Sequence, residues 1–233
     1  MAALTKLSNA VKSTCMTSLG RDSVEGPYYF YSGRNMYDIR RPADDPIISQ
    51  DFVGFLSLAS TRTALGIDII PELTITTEAF EYAAQSDDVY TAFTRAGDYL
   101  YPVFLTDLEY LLDHGVRVIL MHGDADYIAN WLGGEAVSLT LNHSQASLFQ
   151  ATPYAPLVFG NVSTDDDYGK VREQGNLSFV VVRDAGHFVP FSQPALTLEL
   201  FRRAMAGLDL TTGRGPINSS AAFPFVPDSP LTT

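Results

Sequence analysis

The sequence predicts an α/β fold, because helical and strand-like patterns alternate along its second half. Apolar residues fall on one helical face over 104–112, and a short β-rich run follows at 116–121. A second apolar run at 178–183 precedes another helical pattern that starts near residue 194. Each run ends in a polar loop, and in open α/β sheets the chemistry gathers at the carboxyl ends of strands.

The composition is that of a folded globular protein, with 46% hydrophobic and 18% charged residues. Fifteen Lys and Arg residues face twenty-seven Asp and Glu residues, which gives a formal net charge of −12. Such a field repels phosphate backbones and anionic lipid, and no run approaches the ~18 apolar residues of a membrane span. We therefore expect neither nucleic acid nor a membrane as a partner.

Composition divides the chain into three parts. Residues 1–48 are rich in turn formers and show no sustained period, so we expect an irregular arm. Residues 49–207 carry the α/β pattern. Residues 208–233 are rich in Pro, Ser, Thr and Gly, which predicts a low-order tail.

Two helices are predicted ahead of the alternating region, at 50–64 and 78–95, where the apolar spacing is helical. Between them, residues 67–77 contain Pro71 and β-branched residues. That composition suits an extended connection.

The clearest unit is a helix followed at once by a strand. Gly115 suits the end of the helix, and Val116–Met121 is apolar on both faces apart from Arg117, as is typical of a buried parallel strand. The strand leads into a polar turn at 122–126. The apolar face of the helix consists of Phe104, Leu105, Leu108, Leu111 and Leu112.

The remaining elements continue the alternation. We expect a helix over 129–141, strands over 168–172 and 178–183, and a helix from Pro194 that Gly207 ends.

Four histidines are candidates for proton transfer, and His187 has the most suggestive position. It follows a glycine after the second apolar run and precedes a rigid Phe-Val-Pro segment, so its ring is expected to project over the end of the sheet. A purely structural role for His187 remains open on context alone. The other three have structural contexts: His114 ends a helix, His122 closes a strand and His143 lies in a sequon.

Asp126 is the natural partner for His187, because a carboxylate that accepts an imidazole N–H fixes the tautomer and stabilises the imidazolium. Alternatively, Asp124 or Asp126 caps the helix that begins near Ala129. The order Asp then His, each on a loop after a strand, matches the last two members of the Ser, Asp/Glu, His order of α/β-hydrolases.

The nucleophile of that order would precede Asp126 on a Gly-x-Ser-x-Gly elbow, and the sequence contains no such motif. Cys15 is the single cysteine and has no elbow context, so we interpret it as half of a disulfide. Ser18 has Gly20 after it but Met16 where the first glycine of an elbow would stand. Ser32 lies in the aromatic arm, and Ser57 and Ser60 lie in a predicted helix.

Three segments resemble the signature blocks of fungal serine carboxypeptidases: SGRNMYDIR at 32–40, GDADYIANW at 123–131 and AGHFVPFSQP at 185–194. They occur in the family's order, and the similarity runs from about residue 10 to residue 210. The resemblance implies an α/β-hydrolase fold, N-glycosylation and secretion to a vacuole or the exterior. It also implies removal of carboxy-terminal residues from peptides at acidic pH, without a metal or organic cofactor.

By the same resemblance, Asp126 is similar to the triad aspartate and His187 to the triad histidine, which favours catalysis over helix capping. Phe188 replaces a residue that lines the substrate pocket in relatives, and Ala129 stands where yeast-type enzymes have a cysteine. The arm before residue 49 then belongs to the insertion or lid region, and Cys15 looks like half of a family disulfide there.

The resemblance further implies the carboxyl-terminal half of such an enzyme, with an incomplete sheet, because the family's nucleophile motif comes earlier. We expect peptide or protein substrates and, as a possible partner, the missing amino-terminal half. The chain opens on no signal peptide, yet four of its seven asparagines lie in Asn-x-Ser sequons, which favours the secretory pathway. These asparagines are Asn142, Asn161, Asn176 and Asn218.

Two other functions stay open at this point. The same scaffold could serve an acyltransferase or lyase, which a product assay would separate from a peptidase. The chain could also be a catalytically inactive remnant or a secreted binding protein, which a serine-directed fluorophosphonate would leave unlabelled.

Overall fold

The computed structural model describes residues 32–45, 51–66, 82–83, 86–96, 104–159 and 168–217. The chain separates into two compact units, the first of residues 1–18 and 44–101 and the second of residues 19–43 and 102–233. Cys15 and the predicted connection at 67–77 lie outside the described residues. The division differs from the predicted boundaries after residues 48 and 207, because part of the arm bonds to loops of the second unit.

The first unit contains three described helices: α1 (Asp51–Ser57), α2 (Ala59–Leu65) and α3 (Asp87–Ala96). The prediction of one helix over 50–64 is wrong, because Leu58 has extended backbone (ψ 136°) and separates α1 from α2. Gly66 ends α2 in the left-handed region (φ 71°). Of the helix predicted over 78–95, residues 87–95 lie in α3, residues 82, 83 and 86 are not helical, and the others lie outside the described residues. α3 has two aspartates in its first turn and Arg95 in its last, as the helix dipole favours.

A four-stranded sheet organises the second unit, and its order is β1-β4-β3-β2. β1 and β4 are parallel, whereas β3 pairs antiparallel with both β4 and β2. The described sheet is thus mixed: the parallel strand expected at 116–121 is found as β1, which pairs parallel with β4. The strands are β1 (Val118–Gly123), β2 (Ala155–Pro156), β3 (Gly169–Gln174) and β4 (Leu177–Val182).

The antiparallel pairing of β3 and β4 follows from the dipeptide between them. Gly175 and Asn176 form a two-residue turn, and Gly175 has positive φ (56°), as tight hairpin turns of this kind require. The Gly-Asn pair is therefore a hairpin signal between the two strand-like runs.

Five described helices accompany the sheet: α4 (Phe104–Asp113), α5 (Trp131–Thr140), α6 (Ala146–Ala151), α7 (Val189–Ser192) and α8 (Pro194–Met205). The predicted positions of α4, α5 and α8 are confirmed within about two residues, with Gly115 (φ 78°) after α4 and Gly207 (φ 66°) after α8. The short helices α6 and α7 were not predicted from the sequence.

β4 is the centre of the core, because all six of its residues are buried. Phe179 and Val181 point to one face, where they pack with Leu112 of α4 and Phe149 of α6. Val180 and Val182 point to the other face and pack with residues of α8. Helices thus cover both faces of β4, which holds the loop that follows it in a fixed place.

Residues 208–217 do not form the low-order tail that was predicted from residue 208. Arg203 is buried and donates to the carbonyl oxygens of Leu210 and Val158. Asp209 accepts hydrogen bonds from several main-chain N–H groups of the following turn. Polar side chains therefore order this segment.

In the part of the chain that is described, no helix has the length and apolar character that a bilayer crossing requires.

Candidate active site

Two loops carry the predicted site residues, and each follows a strand of the parallel pair. Gly123 at the end of β1 lies opposite Val182 at the end of β4. The two loops therefore begin side by side at the carboxyl edge of the sheet. The loop after β1 holds Asp126, and the loop after β4 holds His187.

Asp126 and His187 are directly hydrogen-bonded. Nδ1 of His187 lies 2.9 Å from Oδ2 of Asp126. An ionised carboxylate can only accept, so in the neutral imidazole the proton resides on Nδ1, and Nε2 is left as the basic nitrogen. The Asp126 side chain is 4% exposed, whereas that of His187 is 38% exposed. A shielded carboxylate thus orients an imidazole that solvent or a ligand can reach.

The alternative in which Asp124 or Asp126 caps the following helix is wrong. α5 begins at Trp131, and its N-cap is Asn130. The side-chain oxygen of Asn130 accepts a 3.0 Å hydrogen bond from the N–H of Gly133. Neither aspartate caps α5, so both carboxylates can bond to groups of the two loops.

These carboxylates hold the two loops in place. Oδ1 of Asp126 accepts the N–H of Ala129 at 3.2 Å, so both oxygens of this carboxylate are fixed. Oδ1 of Asp124 accepts the N–H of Ala185 in the other loop at 3.3 Å. The loops also touch through main chain, because a Cβ atom on Gly123 would overlap the carbonyl oxygen of Ala185.

Part of the predicted irregular arm crosses both loops. Residues 34–42, called the arm segment below, are closed by a bridge between Arg34 and Pro42. The segment exchanges main-chain hydrogen bonds with each loop. These bonds run from His187 N–H to Tyr37 O (2.7 Å), from Ile39 N–H to Ala125 O (3.0 Å), and from the N–H groups of Tyr127 and Ile128 to Met36 O (3.2 Å each).

An ion pair between the buried Asp38 and the partly exposed Arg40 stabilises the arm segment. Asp38 is 3% exposed, and its carboxylate accepts from Nε of Arg40 at 2.8 Å and from Nη2 at 2.6 Å. The Arg40 guanidinium hydrogen-bonded to Asp38 lowers the pKa of this carboxyl below its ordinary value. The segment was predicted only as a family block. Its Asp-x-Arg spacing, which lets the arginine side chain fold back onto the aspartate of the same turn, was the available sequence signal.

Two aromatic rings flank the imidazole. The ring of Tyr37 lies 5.3 Å from that of His187, and the ring of Phe188 lies 5.2 Å away in an edge-to-face arrangement. Phe188 is 36% exposed. Phe188, the residue expected to lie in the substrate pocket, thus stands beside His187 and is partly exposed.

The family model for serine carboxypeptidases matches residues 6–207. The chain belongs to the serine carboxypeptidase family. The match includes all three signature blocks, so the family resemblance of the sequence is confirmed.

Curated members of the serine carboxypeptidase family are similar to most of this chain. Carboxypeptidase S1 homolog B of Arthroderma otae is 38% identical over 190 residues, which cover 82% of this chain and 27% of the relative. Carboxypeptidase Y homolog of Arthroderma benhamiae is 34% identical over 229 residues, or 90% of this chain and 33% of the relative. Vacuolar serine-type carboxypeptidase ATG42 of Saccharomyces cerevisiae is 32% identical over 207 residues, which cover 88% of this chain and 40% of the relative. The chain spans about a quarter to two fifths of the length of these relatives.

A solved structure supports the fold. The crystal structure of Kex1(Δ)p, a prohormone-processing carboxypeptidase from Saccharomyces cerevisiae, matches with a TM-score of 0.59 at 20% sequence identity. The match covers 78% of this chain and 38% of that chain. At this identity the likeness concerns the fold, which is of the α/β-hydrolase type.

The other three histidines contact residues other than Asp126 and His187. Nδ1 of His114 lies 2.7 Å from the carbonyl oxygen of Tyr110, and Nδ1 of His122 lies 3.0 Å from that of Ala129. Burial lowers the pKa of His143. Among the described residues, no group of three His, Cys, Asp or Glu side chains could hold a metal ion.

Two of the four sequons lie in the described ranges. Asn142 is exposed directly after α5, and Asn176 is half-buried in the turn between β3 and β4. Asn161 and Asn218 lie outside the described residues.

Proposed function

We propose that this chain provides two of the three triad residues of a serine carboxypeptidase, with Asp126 as the orienting carboxylate and His187 as the general base. The observation that carries the proposal is the 2.9 Å contact between Asp126 Oδ2 and His187 Nδ1 at the carboxyl edge of the sheet. Membership of the family supports the reaction class. The complete enzyme removes carboxy-terminal residues from peptides or proteins.

In the proposed mechanism each residue has one task. Nε2 of His187 takes the proton of a serine hydroxyl as its oxygen attacks the scissile carbonyl, and then gives that proton to the departing amine. The resulting acyl-enzyme is hydrolysed by a water molecule that the same nitrogen deprotonates. Asp126 stays ionised throughout and stabilises the imidazolium.

The serine nucleophile lies, in this proposal, on a segment outside these 233 residues. The sequence has no Gly-x-Ser-x-Gly elbow, and the chain spans 27% to 40% of the length of the relatives named above. The chain alone is therefore expected to be essentially inactive, since removal of the nucleophile from a triad costs on the order of 10⁶ in kcat.

The free edge of β1 supports an incomplete sheet. Within the described ranges β1 pairs only with β4, although its sequence Val-Ile-Leu-Met-His-Gly contains no acidic or basic side chain other than His122. Exposed edge strands are normally short, charged or covered. The proposed cover is a strand of the amino-terminal part of the enzyme. A sharp, cooperative thermal transition of the isolated chain as a monomer would contradict this part of the proposal.

Phe188 is proposed to line the substrate pocket. Its ring is in contact distance of the imidazole of His187 and remains partly exposed. An aromatic wall at this place favours apolar groups of the bound peptide.

The proposed compartment is the secretory pathway, with the vacuole or the exterior as destination. One similar protein is named a vacuolar carboxypeptidase. The exposed sequon at Asn142 is consistent with passage through that pathway.

The test uses the native protein that contains this chain and an N-blocked dipeptide as substrate. We expect release of the carboxy-terminal amino acid, with loss of about 10⁴-fold in kcat for Asp126→Asn, because the imidazole then takes the wrong tautomer. His114→Gln, at an exposed histidine outside the site, serves as the control and keeps full activity. A peptidase that Asp126→Asn leaves unchanged, or a native protein that releases no amino acid, would refute the proposal.

A further inference from the structure

The Asp38–Arg40 pair has the geometry of a rigid support. Two nitrogens of the guanidinium meet the two carboxylate oxygens, at 2.8 Å and 2.6 Å. Oδ1 of Asp38 also accepts the main-chain N–H of Arg40 at 3.1 Å. A bidentate fork of this kind fixes direction as well as distance, so the turn from Asp38 to Arg40 is held in one conformation.

That turn sets the direction of the Tyr37 carbonyl group, which accepts the main-chain N–H of His187. The carbonyl oxygen of Tyr37, directly before Asp38, accepts the main-chain N–H of His187 at 2.7 Å. The N–H of Tyr37 donates in turn to Oδ1 of Asn35 at 2.8 Å, and Asn35 is 7% exposed. The peptide groups on both sides of Tyr37 are thus fixed by the buried polar side chains of Asn35 and Asp38.

The contact between the arm segment and the His187 loop is too close for any side chain. A Cβ atom on Gly186 would overlap the carbonyl oxygen of Tyr37 and lie 2.8 Å from Cβ of Asp38. Nη1 of Arg40 lies 3.5 Å from Oδ1 of Asp184 in the same loop. Asp38 and Arg40 therefore contact the His187 loop at Gly186 and Asp184, directly before the residue whose N–H bonds to Tyr37.

The same segment holds the partner loop of Asp126. The carbonyl oxygen of Met36 accepts the N–H groups of Tyr127 and Ile128, and the N–H of Ile39 donates to the carbonyl oxygen of Ala125. Asp126 thus lies between residues that are bonded to the arm segment on both sides. A movement of the arm segment would change the distance between Asp126 and His187.

We propose that Asp38 is a positioning residue for the Asp126–His187 pair, acting through Arg40 and the main chain of the arm segment. It does not touch the imidazole or a substrate. Its effect is to keep Nδ1 of His187 in line with Oδ2 of Asp126, and so to keep the neutral ring in its Nδ1–H tautomer. The inference rests on the proposed function only where the pair is called catalytic.

The experiment measures the ¹⁵N chemical shifts of the His187 ring in the native protein that contains this chain, at a pH where the ring is neutral. The two ring nitrogens have well-separated shifts in a single tautomer and approach each other when both tautomers are populated. The His187 signals are assigned by their loss in His187→Gln. Asp38→Asn preserves size but removes the charge, whereas Arg40→Lys preserves charge but removes the fork.

A matched control carboxylate, Glu173 of β3, lies beside the start of β4, at the end of that strand away from the His187 loop. Glu173 is also largely buried and accepts from Arg117 at 3.0 Å and from Ser178 at 2.7 Å. Glu173→Gln therefore disturbs a comparable ion pair at a distance from His187. Denaturant midpoints of all variants are measured beside the ring shifts, so that a general loss of stability is recognised as such.

We expect Asp38→Asn and Arg40→Lys to bring the two His187 nitrogen shifts together and Glu173→Gln to leave them as in the parent chain. If Asp38→Asn does not fold, Arg40→Lys decides. Unchanged shifts in the folded Asp38 or Arg40 variants would overturn the inference, and so would an equal change in Glu173→Gln.

Activity of the native protein supplies a second and separate readout. Asp38→Asn is expected to lower kcat by about 10- to 100-fold with little change in KM, because the base is misplaced while the substrate contacts remain. A tautomer change in a protein without peptidase activity would leave this inference standing and refute the proposed function. A peptidase with unchanged kcat in the Asp38 variant would refute this inference and leave the proposed function standing.

Discussion

The main-chain N–H of His187 donates a 2.7 Å hydrogen bond to the carbonyl oxygen of Tyr37. The residue proposed as general base is therefore attached to the arm segment by its backbone and to Asp126 by its ring. The two attachments come from distant parts of the sequence. Together they leave the imidazole little freedom to rotate away from the carboxylate.

Gly186→Ala is expected to destabilise the chain by about 1–3 kcal/mol, because the added methyl group has no room beside Tyr37 and Asp38. Gly133→Ala is the control in α5, where the nearest atom to the new Cβ is Oδ1 of Asn130 at 3.7 Å. Helix propensity there predicts a gain of about 0.5 kcal/mol. Urea denaturation of both variants measures the difference, and equal effects would contradict the close packing of Gly186.

Asn130→Ala is expected to cost about 1 kcal/mol, because α5 loses the side chain that accepts the N–H of Gly133. Asn130→Asp keeps an oxygen in the same place and should retain most of the stability. Chemical denaturation again provides the measurement. An alanine variant as stable as the aspartate variant would show that Asn130 is not the cap.

Asp209 is expected to make the stability of the fold sensitive to acid. Burial alone would raise the pKa of this carboxyl, but hydrogen bonds from Gly215, Thr212 and Gly213 hold it below its ordinary value. The unfolded chain therefore binds a proton more readily, and the stability due to Asp209 is complete above its unfolded pKa of about 3.9. It is lost as the pH falls through the folded value.

Asp209→Asn should accordingly flatten the fall in the urea midpoint between about pH 5 and pH 2. The exposed Asp107 in the first turn of α4 offers a control, Asp107→Asn, with a smaller effect on that slope. Identical slopes for Asp209→Asn and the parent chain would refute the role assigned to these hydrogen bonds.

Asn142 is the described sequon that we expect to carry a glycan, because its side chain is exposed after α5. Removal of N-glycans from the native protein should lower its mass, and Asn142→Gln should remove part of that change. Asn176 is half-buried in a hairpin turn, and the side-chain hydroxyl of Ser178 in its sequon donates to Glu173. A glycan on Asn176 and none on Asn142 would contradict this expectation.

The parts of the fold that follow from local spacing could be predicted from the sequence. The face of α4, the apolar run of β4 and the proline and glycine around α8 each mark their element within a few residues. The Asp126–His187 pair could also be predicted, because parallel neighbouring strands bring their following loops to one edge of the sheet.

The rest depends on contacts between distant residues. Leu58 interrupts what a helical period predicts as one helix, and nothing in its own side chain marks the break. The arm segment has no period at all; its order comes from the buried Asp38 and from hydrogen bonds to loops far along the chain. The loop at 208–217 is likewise ordered by Arg203 and Asp209 rather than by an apolar pattern.

The most direct test of the central claim is fluorophosphonate labelling of the native protein that contains this chain, followed by mass mapping of the labelled residue. We expect one labelled serine outside residues 1–233, and loss of labelling in His187→Gln because the serine is no longer activated. The claim would be contradicted by a native protein that takes up no label, or by labelling that persists without His187.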